Sequence, residues 1–201
     1  MWLGKTIFDK TKEKYMNRNP KRHNNLTSEK LKREFLKVFK KDSGIRCSMK
    51  KIRQDLLINQ QAHHIVPVQV LKALNINENA YENYNRESNC LIVPKMGAPI
   101  VHNGAHPQYN AFVLLYIEDS FALFEESESK YSEKEIILAA ADIIRDAFND
   151  AMSIESRNYY FGDQLSLSMD DFARRYLWAY YYPDADIRAN VEYLKCNSQN
   201  K

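Results

Sequence analysis

Two adjacent histidines, His63 and His64, stand in the run Gln61-Ala62-His63-His64-Ile65-Val66-Pro67. Two more, His102 and His106, stand in His102-Asn103-Gly104-Ala105-His106-Pro107-Gln108-Tyr109-Asn110, and Asn89 lies between the two groups. Four of the chain's five histidines thus gather in two short clusters. Imidazole is the commonest side-chain ligand for zinc, nickel and related divalent ions. Adjacent side chains on an extended segment point to opposite sides. One member of the pair can therefore hold a metal while its neighbour faces a substrate: His63 as ligand and His64 as base, or the reverse. A three-histidine shell leaves a coordination position open for water or a phosphate oxygen. Phosphodiester cleavage needs a base for water, neutralisation of charge on the phosphoryl oxygens and help for the leaving oxygen. One metal and one histidine supply all three, and an imidazole pKa of about 6.5 suits a base near neutral pH.

The elements around these residues follow from local pattern. Ile65-Val66-Pro67-Val68 is short, β-branched and broken by proline, which reads as a strand or extended turn. A brief helical turn follows over 68–74, then a loop rich in Asn, Glu and Tyr over 75–89. Cys90-Leu91-Ile92-Val93-Pro94 is a second candidate strand. Pro107 suits the first turn of a helix that continues through Phe112, Val113, Leu115 and Tyr116. Proline disfavours helical geometry in the residue before it, so His102 and His106 straddle a helix start, with His106 near the N-cap. The positive end of that helix is expected to favour a phosphate nearby. N-terminal to the site, the spacing of Leu31, Phe35, Leu36, Val38 and Phe39 predicts an amphipathic helix over 28–41 ending at Gly44, and 48–60 reads as a second helix. C-terminal to it, Ser132 with Glu135 and Ser168 with Asp171 are helix starts of the capping-box type. Ile136, Ile137, Ala140, Ile144 and Phe148 form a core stripe, and Gly162 interrupts the pattern. Tyr180-Tyr181-Tyr182-Pro183 ends the last of these helices, and the aromatic cluster over 176–182 reads as core.

Taken in order, Ala62-His63-His64-Ile65-Val66-Pro67, Asn89 leading into Leu91-Ile92-Val93-Pro94, and the run from His102 to Asn110 resemble the AHH branch of the HNH/endonuclease VII superfamily. The resemblance covers about residues 60–118. It implies an α+β protein with a small ββα-metal core embedded in a mostly helical chain. It implies His63, His102 and His106 as ligands to one divalent metal, His64 as the general base that deprotonates water, and Asn89 as the catalytic-site asparagine that braces the hairpin and keeps the base oriented. Tyr109 is expected to pack under the metal. The implied activity is metal-dependent endonuclease cleavage of DNA with little sequence specificity, as the toxic tip of an antibacterial effector. Such a toxin implies a cognate immunity protein, which would be acidic if it covers a basic DNA-facing surface. Histidine ligands suit zinc or nickel, and a catalytic magnesium held partly through substrate phosphates stays open.

Composition bounds the rest. With 44% hydrophobic residues and only 5 Gly and 6 Pro in 201 residues, the chain is an ordered globular one. The expected organisation is a basic helical segment over 1–55, the nuclease core over 56–125 and an acidic helical extension over 126–201 packed on the core. The net charge of +3 hides an asymmetry: residues 1–55 hold 17 Lys and Arg against 6 Asp and Glu, and the remainder 12 against 20. A basic arm on an acidic body points to a polyanion such as DNA as the arm's partner. The 3 cysteines, Cys47, Cys90 and Cys196, form no CxxC pair, which argues against a disulfide framework and a thiolate zinc site. No apolar run has signal-peptide or membrane-span length. The chain is thus expected to be made in the cytoplasm, and the resemblance implies delivery into the cytoplasm of a target bacterial cell. Three other readings fit the same residues: a phage or restriction endonuclease, a ribonuclease, and a non-catalytic zinc-stabilised module that binds nucleic acid.

Overall fold

The computed structural model describes residues 59–76, 87–126, 131–160 and 165–199. The expected helix over 28–41, the expected helix over 48–60 as far as residue 58, the basic arm and Gly162 lie outside them. Helices dominate, with two small sheets, so the fold is mixed helix and sheet. Strand β1 (Gln60–His64) pairs antiparallel with β2 (Cys90–Pro94), with His63 opposite Leu91 and His64 opposite Cys90. Between them lie helix α1 (Val68–Ala73) and a 3-10 turn, Glu87–Asn89. A two-residue strand β3 (Ile100–Val101) leads into the second histidine cluster, and helix α2 (Pro107–Glu126) follows it. Helix α3 (Glu133–Tyr160) and strand β4 (Leu167–Ser168) come next. Helix α4 covers residues 169–181 as Met169–Phe172, a π-helical stretch Ala173–Trp178, and Ala179–Tyr181. Helix α5 (Ile187–Gln199) closes the described chain.

One sequence expectation shifts and one alternative is decided. Gln60 belongs to β1 rather than to a preceding helix, and of the strand or extended turn expected at Ile65-Val66 the structure has the turn, just after the strand. The cause is Asn89. Its side-chain carbonyl accepts from the Val66 N–H at 2.6 Å and its amide donates to the Val66 carbonyl at 3.1 Å. Both backbone groups of Val66 are thereby withdrawn from any ladder, and the strand falls on the polar residues before it. Pairing with the apolar β2 segment outweighs the weak strand propensity of the two glutamines.

The remaining starts and stops agree with their local chemistry. Ser132 and Glu135 exchange backbone-to-side-chain hydrogen bonds at 2.8 and 3.3 Å at the start of α3. Ser168 and Asp171 form the same reciprocal box on α4 at 3.1 and 3.2 Å. Helix α2 supplies the centre of the core: Phe112, Val113, Leu114, Leu115, Tyr116 and Ile117 are all buried. Residues from Ile65 to Leu194 join it in one apolar cluster that includes the expected stripe on α3. Full burial of each large side chain contributes roughly 1.5–3 kcal/mol, enough to fix α2 as the rigid element behind the site. Trp178, Tyr181 and Tyr182 lie in this core, whereas Tyr180 is exposed. Helix α5 packs on α2 and α1, where Gln69 donates to Ser198 Oγ at 3.1 Å and accepts from the Asn110 amide at 3.1 Å.

Candidate metal centre

The register of β1 decides which histidine of the pair turns inward. His63 shares the core-facing side of the ribbon with Leu91 and is 7% exposed; His64, one residue on, is half-buried on the other side. His63 meets the second cluster across the ribbon. Its ring centroid lies 5.1 Å from that of His102 and 5.2 Å from that of His106, both in edge-on geometry. One ring nitrogen from each of His63, His102 and His106 falls within 4.8 Å of the others. The three histidines are close enough to hold a metal ion. His64 is not a member of that cluster.

The second cluster is shaped by its two ends. The His102 N–H donates to the Pro94 carbonyl at 2.8 Å, which ties it to the end of β2. Gly104 then takes a left-handed φ of 71° that glycine adopts without a Cβ clash. Pro107 starts α2, and the His106 carbonyl accepts the first helical hydrogen bond, from Asn110 at 2.9 Å, so His106 is the N-cap as the proline suggested. The HxxxH pair therefore converges without a regular helix carrying both residues, with its Nε2 atoms 3.1 Å apart. Two nitrogens bound to one tetrahedral zinc at about 2.0–2.1 Å would stand roughly 3.3 Å apart. The geometry fits a shared cation.

The electrostatics fit the same role. Burial, and then the nearby imidazoles of His106, His102 and His64, hold the His63 pKa down from 6.5 to about 3. Burial and His102 hold His106 down to about 4, and burial lowers His102. Neutral imidazoles are what metal ligation requires. His63 Nε2 and His106 Nδ1 are buried and make no hydrogen bond among the described residues. An unsatisfied buried polar atom costs about 1–3 kcal/mol, a cost that a cation accepting the His63 lone pair would remove.

A pH dependence follows. The folded pKa of His63, about 3, lies below its ordinary 6.5, so between those values the unfolded chain binds the extra proton. Stability is fully present above pH 6.5 and falls as pH drops through the window. Metal-free protein should melt at lower temperature at pH 5 than at pH 7, with about 2 kcal/mol lost through His63 alone. An unchanged or raised melting temperature at pH 5 would contradict the neutral, buried state of this ring.

The supporting residues are a mixture of those expected and those not. Asn89, 1% exposed, clasps Val66 with its side chain and accepts from the Ile65 N–H at 3.1 Å with its own carbonyl. It therefore braces the turn that follows His64. Tyr109 packs its ring 5.2 Å from that of His63 and donates its hydroxyl to the Ile65 carbonyl at 2.7 Å. Burial pushes its phenol pKa up, so it remains a hydrogen-bond donor. The expectation of a phosphate at the start of α2 is corrected: a carboxylate already holds that position. Asp170 Oδ1 accepts from both the Gln108 and the Tyr109 N–H at 3.0 Å, and Pro107 has no N–H to offer. Burial raises the Asp170 pKa, opposed by those two hydrogen bonds. Arg145 of α3 reaches the Ser88 carbonyl at 2.6 Å beside Asn89. Asp170 and Arg145 act across 62 and 57 residues, and no local signal in the sequence announces such contacts.

A scan against protein-family models finds no model that matches the chain, and searches of the curated proteins and of the solved structures find no match either. Three imidazoles held neutral by burial would suit a divalent cation, and a fourth histidine, His64, stands on the adjoining residue. Among the described residues no helix is long and apolar enough to cross a membrane.

Proposed function

We propose that the chain is a metal-dependent endonuclease with a ββα-metal core of the AHH/HNH kind, cutting DNA phosphodiester bonds with little sequence specificity. One observation carries the reading: His63, His102 and His106 converge their ring nitrogens within 4.8 Å, while His64, next in sequence to one ligand, stays out of the cluster. In this reading the three histidines hold one divalent ion, zinc or nickel by ligand type, with magnesium as the alternative supported by substrate phosphates. When bound, such an ion supplies Lewis acidity that neutralises charge on the phosphoryl oxygens and on the departing oxygen. His64, as a neutral imidazole, takes a proton from the attacking water. The water oxygen forms the new P–O bond and the leaving oxygen departs with the electron pair of the old one. Asn89 does not touch the reacting atoms in this scheme; it is a positioning residue that fixes the backbone just beyond His64.

The body over 56–201 is acidic, 12 Lys and Arg against 20 Asp and Glu, so the affinity for a phosphate backbone falls to the basic 1–55 segment. The biological role that fits is an antibacterial effector, delivered into the cytoplasm of a target bacterium and neutralised in its producer by an acidic immunity protein. Incubation with supercoiled plasmid and, in parallel, with RNA tests the activity. The expected outcome is nicking and linearisation of the plasmid, abolished by a chelator and restored by zinc, nickel or magnesium. Plasmid left intact while RNA is degraded would replace the reading by a ribonuclease. No cleavage of either, with metal bound, would leave the non-catalytic zinc module as the better account.

A further inference from the structure

The segment 167–178 touches the histidine loop at both of its ends. In front of His102, β3 pairs in parallel with β4, Ile100 opposite Leu167 and Val101 opposite Ser168. Behind His106, Asp170 Oδ1 accepts the first two free N–H groups of α2, from Gln108 and Tyr109. Within the wider π-helical turn, the Trp178 indole N–H donates to the Gln108 carbonyl at 3.0 Å. Between these anchors Asn103, Gly104 and Ala105 are exposed and Gly104 has open space around it. The loop carrying two of the three converging imidazoles is thus held from outside, by residues more than 60 positions further along the chain.

We propose that Asp170 is a positioning residue for the metal centre, and that the 167–178 segment is a clamp setting the separation of His102 and His106. This rests on the three-histidine metal reading. Asp170 ties α2's first turn, and so the N-cap His106, to the element that also pairs with the strand leading to His102. A carboxylate at a helix N-terminus is favoured by the exposed amides and the helix dipole, so the bond is strong enough to fix that turn. Outer residues that orient metal ligands typically change metal affinity 10–100-fold when removed.

Titration of the metal-free full chain with Co²⁺, followed by its visible absorption, tests this. Wild type should take one ion with the intense bands of a low-coordinate site. Asp170→Ala should bind at least about 10-fold more weakly, with altered bands. Asp170→Asn keeps an oxygen acceptor for the two amides and should recover most of the affinity. Glu135→Ala removes the side-chain half of the box that caps α3, outside the 167–178 segment; it should lower the melting temperature and leave Co²⁺ affinity and spectrum as in wild type. Asp170→Ala binding like wild type would overturn the proposal, and so would Glu135→Ala weakening binding equally, since the effect would then be general loosening. A wild type that takes no Co²⁺ would overturn the metal reading itself, and this inference with it.

Discussion

His64→Ala should cut DNA on the order of 10²–10⁴-fold more slowly than wild type, the range a positioned general base contributes, while still binding one divalent ion. The separation of the two effects comes from the pleat of β1. His63 and His64 are neighbours in sequence but lie on opposite sides of the ribbon, one in the three-histidine cluster and one outside it. Removing the outer ring leaves the three inner nitrogens in place. The half-buried position of His64 makes its truncation a small packing loss compared with that of His63. Plasmid nicking under conditions where both proteins are saturated with metal measures the ratio. A variant that nicks at the wild-type rate would remove His64 from the chemistry.

His63→Ala should have the larger effect on the metal. A structural zinc site of four ligands is worth roughly 10–16 kcal/mol, so one ligand's share corresponds to a loss of about 10²–10³-fold in affinity. The same change also probes the conflict between folding and metal binding at this position. His63 Nε2 is buried with no hydrogen-bond partner among the described residues, which costs about 1–3 kcal/mol wherever no cation takes its lone pair. Truncation removes that cost but opens a cavity against Tyr109, His102 and His106. Metal-free His63→Ala should therefore melt close to wild type, while zinc, which raises the wild-type melting temperature, should barely move that of the variant. Large destabilisation without metal, with zinc stabilisation intact, would mean that the ring serves packing alone.

The site's ingredients were more legible in the sequence than its supports. The short strand Cys90–Pro94, the helix begun by Pro107 and the two capping boxes announce themselves because each depends on residues within a few positions of one another. The two histidine clusters are readable for a similar reason: imidazoles in that order and spacing have few common structural roles. Whether Ile65-Val66 was strand or turn stayed open in the sequence, because the choice is made by Asn89, 23 residues beyond Val66. Strands β3 and β4, two residues each, are too short for any periodicity to show. Asp170 was legible only as part of its own helix's first turn; its capping of α2 is a consequence of tertiary packing. The helix start that charge arguments assign to a phosphate is already satisfied for the same reason. The π-helical stretch over Ala173–Trp178 has no proline or glycine to betray it.

In the proposed function, three imidazoles from two distant segments share one divalent ion. Calorimetric titration of metal-free wild type and His63→Ala with zinc tests it most directly. The expected result is one tight site per chain in the wild type and its loss or severe weakening in the variant. Equal affinity and stoichiometry in the two proteins would show that any bound zinc sits elsewhere, and would contradict it.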